Sequence, residues 1–383
     1  MNDKIKLKDA CKILNGFAFK SGKYVDSGIR IIRIANVQKG YVEDEKPAFY
    51  PNSEESSIRD YMLKENDLLL SLTGNVGRVA LLDKKWLPAA LNQRVACLRI
   101  KDDRIIKDYL YFALLSDKFE NDCIKSSKGI AQKNMSTEWL KDYEIPLPSE
   151  QKQREIVSSL KHLSTIIKNK TGQIQQLDNL IKARFVEMFG GSKTYPIKPL
   201  SDIAEYWNGL TYKPTDVSND GTIVLRSSNI QNMQLDLNDI VRVKCDISNK
   251  KMVKENDILM CSRNGSAKLV GKVALIPNLQ EQMSFGAFMM IIRSEYYPYL
   301  MTYFQLPEFR SQISTGTTTI NQITRYMLDK VKLPVPDKAS IDEFAAFVAQ
   351  VDKSKFALSN ELAMGNFYVR LIHDRIVHGR VDL

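Results

Sequence analysis

The sequence predicts a mixed α/β protein built from two homologous globules and two long helices, with the helices paired as an antiparallel coiled coil. Three observations carry this expectation. The chain repeats itself in order along its whole length. Its hydrophobic period changes abruptly at two equivalent points. Ahead of each of those points, short apolar runs are punctuated by Gly and Asn, as turns between strands require.

The repeat is explicit. Leu14-Asn15-Gly16 returns as Trp207-Asn208-Gly209, and Ile31-Ile32-Arg33-Ile34-Ala35-Asn36-Val37-Gln38 returns as Val224-Leu225-Arg226-Ser227-Ser228-Asn229-Ile230-Gln231; Asn15 to Asn208 and Asn36 to Asn229 share an offset of 193 residues. Lys64-Glu65-Asn66-Asp67-Leu68 returns as Lys254-Glu255-Asn256-Asp257-Ile258, Gly77-Arg78-Val79-Ala80-Leu81 as Gly271-Lys272-Val273-Ala274-Leu275, and Ile145-Pro146-Leu147-Pro148 as Leu333-Pro334-Val335-Pro336. A repeat this long is not that of a solenoid, whose periods run about 20–50 residues. Two copies of one domain imply two similar surfaces and hence a two-part target.

The first globule is expected over residues 1–148, with strands near Ile29–Ile34, Asp67–Leu72, Val79–Leu82 and Arg94–Ile100 and a helical stretch near Ile106–Phe119. A long helix follows over 149–191. Ser149 is a good N-cap, and Glu150 suits the helix N-terminus. Ile156, Leu160, Leu163, Ile167, Ile174, Leu177, Ile181 and Met188 then fall at heptad spacing, broken by Lys170 and Arg184, until Gly190-Gly191 ends the run. The second globule, 192–336, repeats the pattern with strands near Thr222–Leu225, Asp257–Ser262, Lys272–Ile276 and Phe288–Ile292 and a helix near Tyr299–Gln312. The second long helix, 337–383, carries Ile341, Phe344, Val348, Val351, Leu358, Leu362, Val369, Ile372 and Ile376 at heptad positions, broken by Lys355 and Gly365. A narrow apolar stripe needs a partner, and each long helix is the simplest partner for the other. An antiparallel pair would relate the halves by a pseudo-twofold axis.

The 383 residues carry a net charge of +10, which favours an anionic partner such as nucleic acid, although charge alone leaves open a basic but unengaged surface. Cys11, Cys97, Cys123, Cys245 and Cys261 are scattered and odd in number, which argues against a disulfide framework or zinc site and for reduced thiols in the cytoplasm. No apolar leader and no run long enough to cross a bilayer is expected. His162, His373 and His378 lack metal-ligand spacing and read as solvated surface. The segment from Gly265 to Val273 has the wrong glycine spacing for a phosphate loop, and no dinucleotide or methyl-donor fingerprint occurs. No metal, cofactor or catalytic site is expected in this chain.

What the chain offers instead is loops that combine glycine, amides, hydroxyls and cations. Gly admits a close backbone approach to phosphate, Lys and Arg supply charge, and Asn, Gln and Arg can pair with base edges. The candidates in the first half are Asn36, Gln38, Asn75, Arg78, Arg94, Lys128, Gln132, Lys133 and Asn134. Those in the second are Asn229, Gln231, Arg263, Asn264, Lys268, Thr317, Asn321, Gln322 and Arg325. Any one such loop has the composition of an ordinary surface turn. Asn36 with Asn229, and Gln38 with Gln231, suit a strand-end structural role equally well. Residues that read different bases should differ between halves, so the divergent positions are the stronger candidates for base contact.

In the order and duplication of these motifs the chain resembles the specificity subunit of type I restriction-modification systems. The resemblance rests on Leu14-Asn15-Gly16, Lys64–Ser71, Asn75–Arg78, Leu91–Val95 and Ile145–Pro148, followed by Glu150-Gln151 and a heptad helix ending in Phe185–Phe189. In the second half Ser284-Phe285-Gly286 stands in for Asn92-Gln93-Arg94, and Asp337-Lys338 for the Glu-Gln start. The resemblance implies two target recognition domains, each reading half of a split site in double-stranded DNA, with the paired helices as a ruler. It implies docking of two methyltransferase subunits and of restriction/translocase subunits. S-adenosylmethionine, ATP and Mg2+ would be used by those partners. It implies no catalysis by this chain and no membrane. Without the resemblance, a protein-binding scaffold with duplicated domains and an enzyme with an unrecognised site stay open.

Overall fold

The computed structural model describes residues 3–127, 134–190, 195–313 and 322–377. The chain divides into two compact units, Met1–Gly172 with Ser359–Leu383, and Gln173–Leu358. Each unit holds one globule together with a stretch of both long helices.

In the first unit, Cys11–Asn15, Val95–Ile100, Leu68–Ser71 and Val79–Leu81 form a four-stranded antiparallel sheet in that spatial order. A second sheet sets Ile29–Ile32 between Phe49–Tyr50 (antiparallel) and Ala89–Leu91 (parallel). The second unit repeats both sheets. Glu205–Asn208, Met289–Arg293, Ile258–Cys261 and Val273–Leu275 form the first; Thr222–Leu225 lies parallel to Met283–Phe285 in the second. The strands anticipated from apolar runs are present, each trimmed by a residue or two except Thr222–Leu225, which is unchanged, and Phe288–Ile292, which shifts by one residue to Met289–Arg293. Cys11–Asn15 and Glu205–Asn208 escaped notice because neither alternates cleanly. The helical stretch expected in each globule forms two helices. Ser116 caps the second helix of the first unit by accepting from the Phe119 N–H at 3.3 Å, and Pro307 opens that of the second unit.

Several repeated motifs prove to be scaffold. Asn66 and Asn256 sit in the left-handed region at φ 64° and 66°, which asparagine tolerates. Each turn is then closed by the following aspartate. Asp67 accepts from the Lys64 N–H at 2.8 Å, and Asp257 from the Lys254 N–H at 2.7 Å. Both carboxylates are buried and take two hydrogen bonds from an arginine on the neighbouring strand, Arg99 and Arg293. The hydrogen bond and charge of Asp257 raise the Arg293 pKa despite its partial burial. The Ile-Pro-Leu-Pro repeat has a similar cause: the buried Tyr109 hydroxyl donates to the Pro146 carbonyl at 2.9 Å, and Tyr299 to Pro334 at 2.6 Å.

The Glu150–Phe189 and Lys338–Val377 helices are each 40 residues, about 60 Å at 1.5 Å per residue. Within each unit their segments run antiparallel. In the first, Ile156, Leu160 and Ile376 share the core with Tyr109 and Phe112. Lys170 is paired with Glu361, and a Cβ on Gly365 would stand 3.2 Å from Ile167 Cγ1. In the second, Phe185 and Phe189 pack on Phe344 with ring centroids 5.6 and 5.4 Å apart, and Arg184 reaches Glu343 at 2.7 Å. The buried Lys355 is 2.7 Å from Asp178 across the seam. Every break in the heptads is thus met by the facing helix. The buried Gln153 ties the first helix to its globule, accepting from the Ile106 N–H and donating to the Arg104 and Pro148 carbonyls.

His373 corrects the expectation of a solvated surface. It is 8% exposed, lies 6.5 Å from the Phe112 ring, and its Nε2 has no hydrogen-bond partner among the described residues. His162 is exposed, and His378 lies outside the described residues. All five cysteines are free thiols; four are buried, and burial pushes the Cys11 thiol up to about 12.

Two predictions follow from these interiors. Asp257→Asn leaves the Arg293 guanidinium without its counter-charge and should cost on the order of 3 kcal/mol in urea unfolding. Burial drives the His373 pKa from its ordinary 6.5 down to about 4, against a smaller opposing pull from Asp117. The unfolded chain therefore takes up a proton below 6.5 that the folded chain refuses until about 4. Stability falls as pH drops through that window, by on the order of 3 kcal/mol, and levels off below it. His373→Leu should flatten that part of the stability–pH curve relative to the parent.

Candidate nucleic-acid interface

Where the two parallel strands of the first unit end, their continuations enclose a cleft of about 450 Å³ lined by Arg33, Ile34, Ala35, Lys46, Asn92, Gln93 and Arg94. The Asn92 N–H donates to the Ile32 carbonyl at 3.1 Å, joining the loops. The turn at Asn92 closes on itself: its Oδ1 accepts from the Arg94 N–H at 3.2 Å and its carbonyl from the Val95 N–H at 2.9 Å. Gln93 and Arg94 are left exposed at the rim. Arg33 donates to the Lys46 carbonyl.

The second unit holds the counterpart, a cleft of about 1100 Å³ whose lining includes Tyr212, Arg226, Ser227, Arg263, Asn264 and Phe288. Arg226, equivalent to Arg33, is 2.9 Å from Asp239, and Asn264 donates to the Ser227 hydroxyl at 3.1 Å. Arg263 stands over Phe288, 5.4 Å from the ring centroid.

Backbone pairing fixes the correspondence between the clefts and corrects the sequence alignment. Leu91 pairs with Ile32 as Phe285 pairs with Leu225. Phe17 bridges Asn92 as Leu210 bridges Gly286. The Leu72 N–H donates to the Arg94 carbonyl, and the Ser262 N–H to that of Phe288. The counterpart of Asn92-Gln93-Arg94 is therefore Gly286-Ala287-Phe288, not Ser284-Phe285-Gly286. The antiparallel bridges Thr73–Asn134 and Arg263–Gln322 likewise set Arg263 against Thr73.

The candidate residues separate by environment. Asn36 and Asn229, 3% and 0% exposed, are interior. Asn36 accepts from the Arg33 N–H and donates to the Glu43 carbonyl and Asp44; Asn229 accepts from the Arg226 N–H and donates to the carbonyls of Asp236 and Asp239. With both amide groups satisfied inside their own loops, these side chains hold the loop and are withdrawn from any surface role. Gln38 donates to the Ala35 carbonyl and accepts from Arg78, and Gln231 donates to the Ser228 carbonyl at 3.0 Å. Arg94 lines the first cleft, and Arg263 and Asn264 the second. Asn134 and Gln322 sit beside them in the bridges to Thr73 and Arg263. Asn75 and Lys268 are exposed but outside the cleft linings, and Arg325 stands 6.0 Å from the Tyr206 ring. Lys128, Gln132, Lys133, Thr317 and Asn321 lie outside the described residues.

Sequence reasoning missed Arg33, Lys46, Arg226, Tyr212 and Phe288. The repeated Arg33/Arg226 was visible in the duplication; Phe288 gave no signal, because an apolar residue at a strand start reads as core. Among the described residues no group of three or more His, Cys, Asp or Glu is placed to hold a metal ion, and no helix is long and apolar enough to cross a membrane.

Comparison with known proteins bears on this arrangement. The family model described as "Type I restriction modification DNA specificity domain" matches residues 2–179 and again 192–363. The type I restriction enzyme MjaVIII specificity subunit of Methanocaldococcus jannaschii is 28% identical over 182 residues, 46% of this chain and 43% of that protein. The EcoBI specificity subunit of Escherichia coli is 23% identical over 316 residues, 73% of this chain and 63% of that protein. The matches thus span roughly half the length of these curated relatives. The crystal structure of the type I restriction-modification S subunit from M. genitalium superposes with a TM-score of 0.52 at 14% identity, covering 98% of this chain and 96% of that one, which shows a shared fold. With the same cleft built twice and the family model matched twice, the chain belongs to the family of type I restriction modification DNA specificity domain proteins.

Proposed function

We propose that this chain is the DNA sequence-specificity subunit of a type I restriction-modification complex, recognising a two-part site in double-stranded DNA through its two target recognition domains. The observation that carries the reading is the pair of equivalent clefts: one hydrogen-bonded frame, built twice, with different residues at the rim. Equal frames suit two contacts with one kind of polymer; unequal rims suit two different half-sites. The net charge of +10 supplies the phosphate attraction, which makes affinity fall steeply with salt. Exposed rim amides and guanidinium groups supply base-edge contacts worth about 1–3 kcal/mol for each good bidentate pair.

The long helices, with their cross-seam ion pairs, set the gap between half-sites and carry the docking surfaces for two methyltransferase subunits, with restriction/translocase subunits completing the assembly in the cytoplasm. Methyl transfer and DNA translocation reside in those partners, which bring S-adenosylmethionine, ATP and Mg2+. This chain's contribution is to hold one adenine where a methyltransferase partner can flip it from the stack.

The test is a methylation map of cells expressing the chain with its methyltransferase partner. N6-methyladenine should appear on a two-part motif with a fixed gap. Arg94→Ala should alter or relax one half of that motif, leave the other half and the gap unchanged, and leave the melting temperature within a few degrees. A soluble, assembled complex that methylates no motif would refute the reading.

A further inference from the structure

Deepening that reading, and resting on it, the rim residues at one equivalent position differ in kind. Arg94 and Phe288 occupy the same place in the frame, three residues past the parallel strand, each with its carbonyl accepting from the start of the loop opposite. In the first unit the position carries a guanidinium suited to the paired acceptors of guanine. In the second it carries an aromatic ring, 60% exposed, that belongs to none of the core clusters.

A lone exposed apolar residue is ordinary. Here the surroundings are adapted to it. The two preceding positions shrink from Asn92 and Gln93 to Gly286 and Ala287, so the ring stands clear of its own turn, and the cleft opens from about 450 to about 1100 Å³. The cation has moved across the cleft mouth to Arg263, where its guanidinium lies 5.4 Å from the ring centroid, and the equivalent position in the first unit is Thr73. Arg263 thus steadies the ring by cation–π attraction while keeping positive charge at the rim.

A phenyl ring forms no hydrogen bond with a base edge. The one methyl group that the four DNA bases present in the major groove is the thymine C5 methyl. We propose that Phe288 recognises a thymine in the half-site read by the second domain, packing its ring against that methyl, with Arg263 as the positioning residue.

The test uses the full chain assembled with its methyltransferase partner. A motif is first selected from a random-sequence duplex library by the parent, Phe288→Ala and Phe288→Leu proteins. Each thymine of the relevant half-site is then replaced singly by deoxyuridine, which lacks only the methyl. One replacement should weaken parent binding about fourfold, the value of one buried methyl group. The same replacement should have no effect on Phe288→Ala and an intermediate effect on Phe288→Leu. Phe288→Ala should lose preference at that base pair alone. Equal deoxyuridine penalties in parent and Phe288→Ala, or no sensitive thymine in the parent, would overturn the assignment while leaving two-part recognition standing. Failure to select any two-part motif would instead bring down the reading on which it rests.

Discussion

The frame of each cleft depends on a contact that leaves no room for a side chain. A Cβ on Gly16 would stand 2.2 Å from the Asn92 carbonyl oxygen, and one on Gly209 would stand 2.1 Å from that of Phe285. Backbone meets backbone at both places, so the Phe17 N–H bonds the Leu91 carbonyl at 2.8 Å and the Leu210 N–H bonds that of Phe285 at 2.6 Å. The end of the first sheet is thereby locked to the end of the parallel pair. The segments Asn92–Arg94 and Gly286–Phe288 then emerge from rigid strands, and a rim set on rigid elements can discriminate where a loose loop cannot.

The duplication made the two-domain plan legible in the sequence, since a repeated motif needs no chemical interpretation to be seen. What each motif was for was less legible. Lys-Glu-Asn-Asp and Ile-Pro-Leu-Pro have the look of functional signatures, yet the first closes a left-handed turn and sets a buried aspartate against a half-buried arginine, and the second receives a tyrosine hydroxyl. Asn36 and Asn229 follow the same logic: identity between halves marks the frame. The rim stayed hidden for the complementary reason. Its residues differ between halves, and Gly286-Ala287-Phe288 shares no residue with Asn92-Gln93-Arg94, so it is strand register that reveals that Arg94 answers to Phe288.

The long helices show how far periodicity reaches. Heptad spacing identified both helices and their partnership, because an apolar stripe is a property of the chain itself. The function of the interruptions needed the facing helix in place. Lys170 and Arg184 find acidic partners across the seam, Lys355 finds Asp178, and Gly365 makes room for Ile167. A polar pair in such a seam penalises any slip that would bury one member alone, which fixes register at some expense in stability. His373 was misjudged for the same reason, since its burial comes from the globule packed against it and not from its own helix.

The separation of frame from rim has an evolutionary side. Side chains at Gln93, Arg94, Ala287 and Phe288 project from turns whose geometry is held by backbone hydrogen bonds and by glycines just past the end of another strand. Exchanging them leaves those bonds intact, and surface exchanges of this kind typically shift stability by no more than about 0.5 kcal/mol. On the proposed function, new target preferences are thus reachable through single substitutions that folding does not oppose. Because the domains are duplicates, a variant tried in one leaves the frame and rim of the other unchanged.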